Sequence, residues 1–149
     1  MNRRTRTRET LMQLLYQMTL LNDFSENSEQ EFLEECGDEL VSKLDKDYFN
    51  LVLSFVRSHR EELDAAVTEA SDNWKIQRIS RVDLAILRLS IAEILYVPEL
   101  PVNVSINEAV EMAKRFGSEK SPHFINGILG KIVRKQTDMD IRRNLRNEE

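Results

Sequence analysis

Four arginines fall within the first eight residues, Met1 to Arg8, and no acidic residue accompanies them. A guanidinium fork donates in parallel to phosphate oxygens, and its flat face stacks on unpaired bases. Arg3, Arg4, Arg6 and Arg8 are therefore the side chains best suited to hold a polyanion. The chain carries a formal net charge of −5, so the residues after Arg8 sum to −9. A basic end on an acidic body points to a local RNA or DNA contact on a protein that uses the rest of its surface otherwise.

The other residue types able to do chemistry are scattered. His59 and His123 have no partner at metal-ligand spacing, and the single cysteine, Cys36, can build neither a zinc site nor an intramolecular disulfide. There is no glycine-rich phosphate loop and no nucleophile elbow. The acid pairs Glu34-Glu35 and Glu61-Glu62 are adjacent in sequence, so on a helix they diverge into solvent instead of forming an acid/base pair. These absences favour a binding module over an enzyme, with no catalytic residue, no metal and no cofactor expected. No run of about 18 apolar residues occurs, so no membrane span is expected. Glu9 and Gln13 follow the basic start without a small-residue cleavage site, which argues against a secretory signal. One cysteine fits a reducing compartment, and the expected location is cytoplasmic.

The elements that must position these residues read as helices throughout. The 149 residues include four glycines, and all three prolines lie beyond residue 97. Apolar residues recur three and four apart, the period of an amphipathic helix. Leu11, Leu14, Leu15, Met18 and Leu21 form the first stripe, over residues 4 to 22, which sets the arginines on the first turns. A polar break precedes a short helix around Phe32, Leu33 and Cys36. Asp45 or Asp47 can cap a helix with Tyr48, Phe49, Val52, Leu53 and Val56, and a further segment places Leu63, Ala66, Val67, Ala70 and Trp74 on one face. Ser80 with Asp83 resembles a capping box ahead of Leu84, Leu87, Ile91, Ile94 and Leu95, and Pro98 ends that helix. Ser105 with Glu108 suggests a second capping box, and Gly117 is a stop signal. Ser121 before Pro122 reads as a cap for the last long helix, with Phe124, Ile125, Ile128, Leu129, Ile132 and Val133 inward. One domain is expected over 1–149, with an N-terminal helical lobe over 1–74 and a C-terminal lobe over 75–135. Residues 136–149 alternate in charge and are expected to form a frayed helix or flexible tail.

Three stretches together resemble one family. They are Arg4-Thr5-Arg6-Thr7-Arg8-Glu9 with Gln13-Leu14-Leu15-Tyr16; Arg81-Val82-Asp83-Leu84-Ala85-Ile86-Leu87-Arg88-Leu89 running on to Glu93-Ile94; and Pro101-Val102-Asn103-Val104-Ser105-Ile106-Asn107-Glu108-Ala109-Val110, through Ala113-Lys114-Arg115-Phe116-Gly117, to Ser121 and Phe124-Ile125-Asn126-Gly127-Ile128-Leu129. Residues 3 to 135 resemble the NusB family of bacterial transcription antitermination factors. The resemblance implies an all-α fold of about seven helices in two small packed helical bundles. It also implies pairing with the small-subunit ribosomal protein NusE, binding of single-stranded boxA RNA, and action in the RNA polymerase antitermination complex on ribosomal RNA operons. It implies no enzymatic activity and no cofactor.

Carried onto this chain, the resemblance assigns RNA contact to Arg4, Arg6 and Arg8, and to Lys120, Ser121 and Phe124 around the start of the last helix. Lys120 departs from relatives that are often acidic there. Tyr16 and Asp83 match positions used toward the ribosomal-protein partner. Asn107 and Asn126 read as mostly structural, and Gly127 and Gly130 as sites of close helix packing. The competing reading is a helical protein-interaction module, or a homodimer, with no RNA role of its own. The helical domain found ahead of some RNA cytosine methyltransferases is similar too, but the chain is too short to contain a methyl-donor domain.

Overall fold

The computed structural model describes residues 1–148, with side chains placed through Arg146. All regular structure among them is helical: α1 (Arg3–Leu21), α2 (Glu26–Cys36), α3 (Asp38–Ser42), α4 (Lys46–Ala70), a 3-10 turn at Ile76–Arg78, α5 (Arg81–Tyr96), α6 (Val102–Phe116) and α7 (Ser121–Glu148). The all-α expectation holds, with seven α-helices and no strand among the described residues.

Local chemistry sets most of the boundaries. Asn2 caps α1, its side chain accepting the Thr5 N–H at 2.7 Å, and Asn22 ends the helix in the left-handed region at φ +51°. Asp45 accepts the Tyr48 N–H at 3.1 Å and starts α4. The two segments expected after it are one element, broken by a kink at His59 (φ −123°, ψ 22°), where the imidazole stacks on Tyr96 at 4.2 Å. Ser80 accepts the Asp83 N–H at 3.1 Å, as its spacing predicts, and α5 stops at Tyr96, ahead of Pro98.

The start of α6 differs from expectation. α6 begins at Val102 directly after Pro101, so Ser105 is a buried helix-interior residue and forms no capping box with Glu108. α7 runs to Glu148, so of the frayed helix or flexible tail expected over 136–149, residues 136–148 are helix; Glu149 lies outside the described residues.

α5 is the central strut. It packs against α1, α4, α6 and α7, and every residue from Asp83 to Glu93 is buried. The helix is enclosed on all sides, and its buried charges Arg88 and Glu93 each find an ionic partner on a neighbouring helix. One apolar cluster extends from Leu11 to Ile132, so the segments 1–74 and 75–135 share a core. Arginines join helices distant in sequence. Arg88 of α5 grips Asp64 of α4 through two nitrogens at 2.9 Å each and donates to Thr19 of α1 at 3.0 Å. Arg57 of α4 donates to the carbonyls of Phe24 and Ser25 and to Glu29, fixing α2 and its entry loop.

Candidate nucleic-acid interface

Because α1 begins at Arg3, the arginines occupy its first two turns and not a free arm ahead of it. Helical geometry then divides them. Arg4 and Arg8, four residues apart, share the face that meets α4 and α5; Arg6 falls between them on the opposite face. Arg4 lies over the Tyr48 ring at 3.7 Å and bonds Asp45 at 3.2 Å, and Arg3 donates to the Leu44 carbonyl at 2.8 Å. Both keep an exposed surface. The guanidinium of Arg6, a half-buried residue, is the one of the four that makes no hydrogen bond or ion pair among the described residues.

Arg8 corrects the expectation drawn from the sequence. It is 2% exposed, with Nε 2.7 Å from Glu93 Oε2 and a terminal nitrogen 3.5 Å from Glu108 Oε1. The Tyr48 hydroxyl also donates to the Glu93 carboxylate. Its guanidinium is committed to an internal ion cluster and offers nothing to a phosphate outside. Burial pushes the Glu93 carboxyl above the usual carboxylate range, while the charge of Arg8 pulls it back. Glu108 also accepts from the Thr5 hydroxyl at 2.7 Å, so it ties α6 to α1. The motif residues Arg8, Glu93 and Glu108, far apart in sequence, thus meet at one buried point.

The second group lies beyond the end of α6. Lys120 is exposed in the connector. Ser121 is buried, and instead of capping α7 its Oγ accepts the Ser118 N–H at 2.9 Å, which folds the connector back on itself. This arrangement needs Gly117: a Cβ there would lie 2.5 Å from Ser121 Oγ and 2.9 Å from the Ala113 carbonyl oxygen. Gly117→Ala is expected to cost about 1–3 kcal/mol through overpacking, read as a lower urea midpoint. An unchanged midpoint would show that the connector yields without cost. Phe124 is half-buried, at 6.2 Å from Trp74.

The two groups are not brought into contact. Thr5 and Arg8 meet Glu108 in the first half of α6, and about 12 Å of helix separates that point from the connector. A ligand touching both must run along α6.

Tyr16 and Asp83 fall at a common end of the α1–α5 pair. Arg8 faces Glu93 and Thr19 faces Arg88, so the helices are antiparallel, and both residues lie toward the end where α1 finishes and α5 begins. Asp83 is buried, and its Oδ1 has no hydrogen-bond partner among the described residues. Tyr16 is half-buried against the core.

Asn107 and Asn126 are exposed and make no side-chain hydrogen bond among the described residues, contrary to their structural reading. Gly127 would have nothing within 4 Å of a Cβ, and Gly130 only the mobile end of Arg134, so helix packing does not require either glycine. Trp74 also departs from expectation. α4 ends at Ala70, and Trp74 follows on a loop, 54% exposed instead of packed on a helix face. The signal was Asp72-Asn73, a pair suited to the left-handed conformations that both adopt (φ +57° and +66°) and that break the helix. Among the described residues no helix is long and apolar enough to cross a membrane.

Comparison with known proteins places this geometry among relatives. Residues 5–134 match the model of the NusB family. The chain is 42% identical over 129 residues to the transcription antitermination protein NusB of Alkaliphilus oremlandii, covering 87% of this chain and 91% of the relative. Identity to the NusB of Acetivibrio thermocellus is also 42%, covering 88% of each chain. Among solved structures, Thermotoga maritima NusB superposes with a TM-score of 0.76 at 33% identity, covering 90% of this chain and 93% of the other. A structure of antitermination factors NusB and NusE in complex with dsRNA shares the fold, with a TM-score of 0.75 at 22% identity, covering 88% of this chain and 96% of that one.

Proposed function

Since the chain belongs to the NusB family, matched from residue 5 to 134, we propose that it binds boxA-type RNA together with the ribosomal protein NusE. It is a transcription antitermination factor and not an enzyme. The observation that carries the RNA reading is Arg6: a guanidinium on the basic first turns of α1 that makes no hydrogen bond or ion pair among the described residues, whereas its neighbours Arg3, Arg4 and Arg8 are each held by an internal partner. Arg4 flanks it, and Lys120 with Phe124 offers a second contact along α6. Arg8 supports this surface from beneath and is not carried forward as a contact. Ser121 contributes by shaping the connector. A same-fold structure holds NusB with NusE and dsRNA, which supports a NusE partner and an RNA contact in general.

Tyr16 and Asp83 are the proposed NusE contacts. A buried carboxylate oxygen without a partner is costly, and a donor from a bound protein would satisfy it. The acidic body would also steer a basic partner toward it.

Fluorescence anisotropy with a short single-stranded boxA-type RNA, with and without NusE, tests the reading. Three phosphate contacts, at Arg4, Arg6 and Lys120, predict a salt slope of about −2 for a single strand. Arg6→Ala should reduce that slope by roughly 0.7 and leave the urea midpoint unchanged. Equal affinity and equal slope in the variant would remove Arg6 from the interface. In parallel, Tyr16→Asp should weaken co-purification with NusE, and undiminished recovery would withdraw that contact.

A further inference from the structure

We propose that Trp74, backed by Phe124, is a stacking platform for one unpaired base of the bound RNA. The proposal rests on the RNA reading above and adds to it a residue and a chemistry. Trp74 is more than half exposed, and its one aromatic neighbour among the described residues is Phe124. Asp72 and Asn73 immediately before it are both left-handed, a conformation few residue types adopt, and this pair turns the chain so that the indole is presented beside α7. Its ring lies 6.2 Å from that of Phe124 at an interplanar angle of 42°, a tilted aromatic pair that leaves indole surface open to solvent.

The surroundings say what would cover that surface. Trp74 is the wall shared by two shallow clefts. Lys75 and Arg78 line one. His123, Phe124, Gly127 and Lys131 line the other, together with Asp72, whose carboxylate is 3.5 Å from Lys131. Ala70 and Ile128 add apolar surface to the second cleft, and the charges around the indole are Lys75, Arg78 and Lys131, the last facing the single Asp72. An aromatic face ringed by cations suits a planar base attached to phosphate, and base–aromatic stacking tolerates any sequence. Gly127 adds room. Nothing lies within 4 Å of where its Cβ would be, so the floor of the cleft is open backbone. A helix-interior glycine without a packing reason is what close approach of a ligand to the backbone would need.

Trp74 is the only tryptophan of the chain, so its emission reports on this site alone. Labelled single-stranded boxA-type RNA is titrated into the full chain, reading RNA anisotropy and indole emission together. NusE is added in a second arm, where the Trp74 signal is taken as the difference from Trp74→Phe. Stacking should quench the indole emission on saturation with the single strand, and a duplex of the same sequence should quench it far less. Trp74→Ala should weaken single-strand affinity about five- to fifty-fold, and Trp74→Phe should retain most of it. An anisotropy rise without quenching, or equal affinity in Trp74→Ala, overturns the platform and leaves the RNA reading standing. No anisotropy rise in either arm overturns both. Circular dichroism of both variants guards against misfolding, which exposure of the side chain makes a small concern.

Discussion

Arg8→Ala is expected to cost about 3–5 kcal/mol of stability, a large share of what a domain of this size possesses. The size follows from what is left behind. Glu93 is fully buried and Arg8 is the charge that offsets its burial, so removing Arg8 strands a carboxylate in a low-dielectric interior. Burial already pushes the Glu93 carboxyl upward against the pull of Arg8. Without Arg8 it rises further, and the folded state then holds a proton that the unfolded state releases. Stability tied to a raised carboxyl is present at low pH and lost as pH rises through the folded-state value. The deficit of Arg8→Ala should therefore be small near and below the ordinary value of 4.5 and widen from there toward neutrality. Urea midpoints at pH 5 and pH 7 measure it, and a deficit independent of pH would show that the cluster acts by packing and not by charge. Adding Glu93→Gln to Arg8→Ala should recover part of the loss at pH 7, because the amide keeps an acceptor for Tyr48 without the charge. RNA affinity of Arg8→Ala should fall only as far as the folded fraction falls, the opposite of Arg6→Ala.

Phe49→Ala should cost about 3–5 kcal/mol for a different reason, the loss of a large buried ring and the cavity it leaves. Phe49 is 0% exposed on the inner face of α4, with Val52, Leu53 and Val56. Leu51, two residues away on the same helix, is 43% exposed, and Leu51→Ala should stay within about 0.5 kcal/mol. Comparable thermal midpoints for the two variants would contradict the orientation of α4. Unlike Arg8→Ala, the Phe49→Ala deficit should be flat with pH, since no titrating group loses its partner.

These two residues mark what could be read in advance. Phe49 was legible because helical spacing alone predicts its face: residues three and four apart must point the same way, and the apolar ones must leave water. The same logic, with cap chemistry, gave the start of α5 at Ser80 and its end before Pro98. It failed for Ser105, where a plausible cap lies inside a helix that Pro101 starts earlier, and for Trp74, where Asp72 and Asn73 end α4 before the apolar pattern does. Arg8 was not legible. Nothing in Arg-Thr-Arg-Thr-Arg shows which guanidinium turns inward, because Glu93 and Glu108 are 85 and 100 residues away.

From the sequence alone came the helical class, the basic start, the absence of catalytic groups and the family resemblance, since composition, period and local motif are properties of neighbouring residues. Only the tertiary structure decided which basic side chains remain available. Helix α1 sets Arg4 and Arg8 against α4 and α5 and Arg6 away from them, and a buried carboxylate on α5 demands one of them as its counter-ion. Charge is a property of the residue, but access to that charge depends on the helix packed against it.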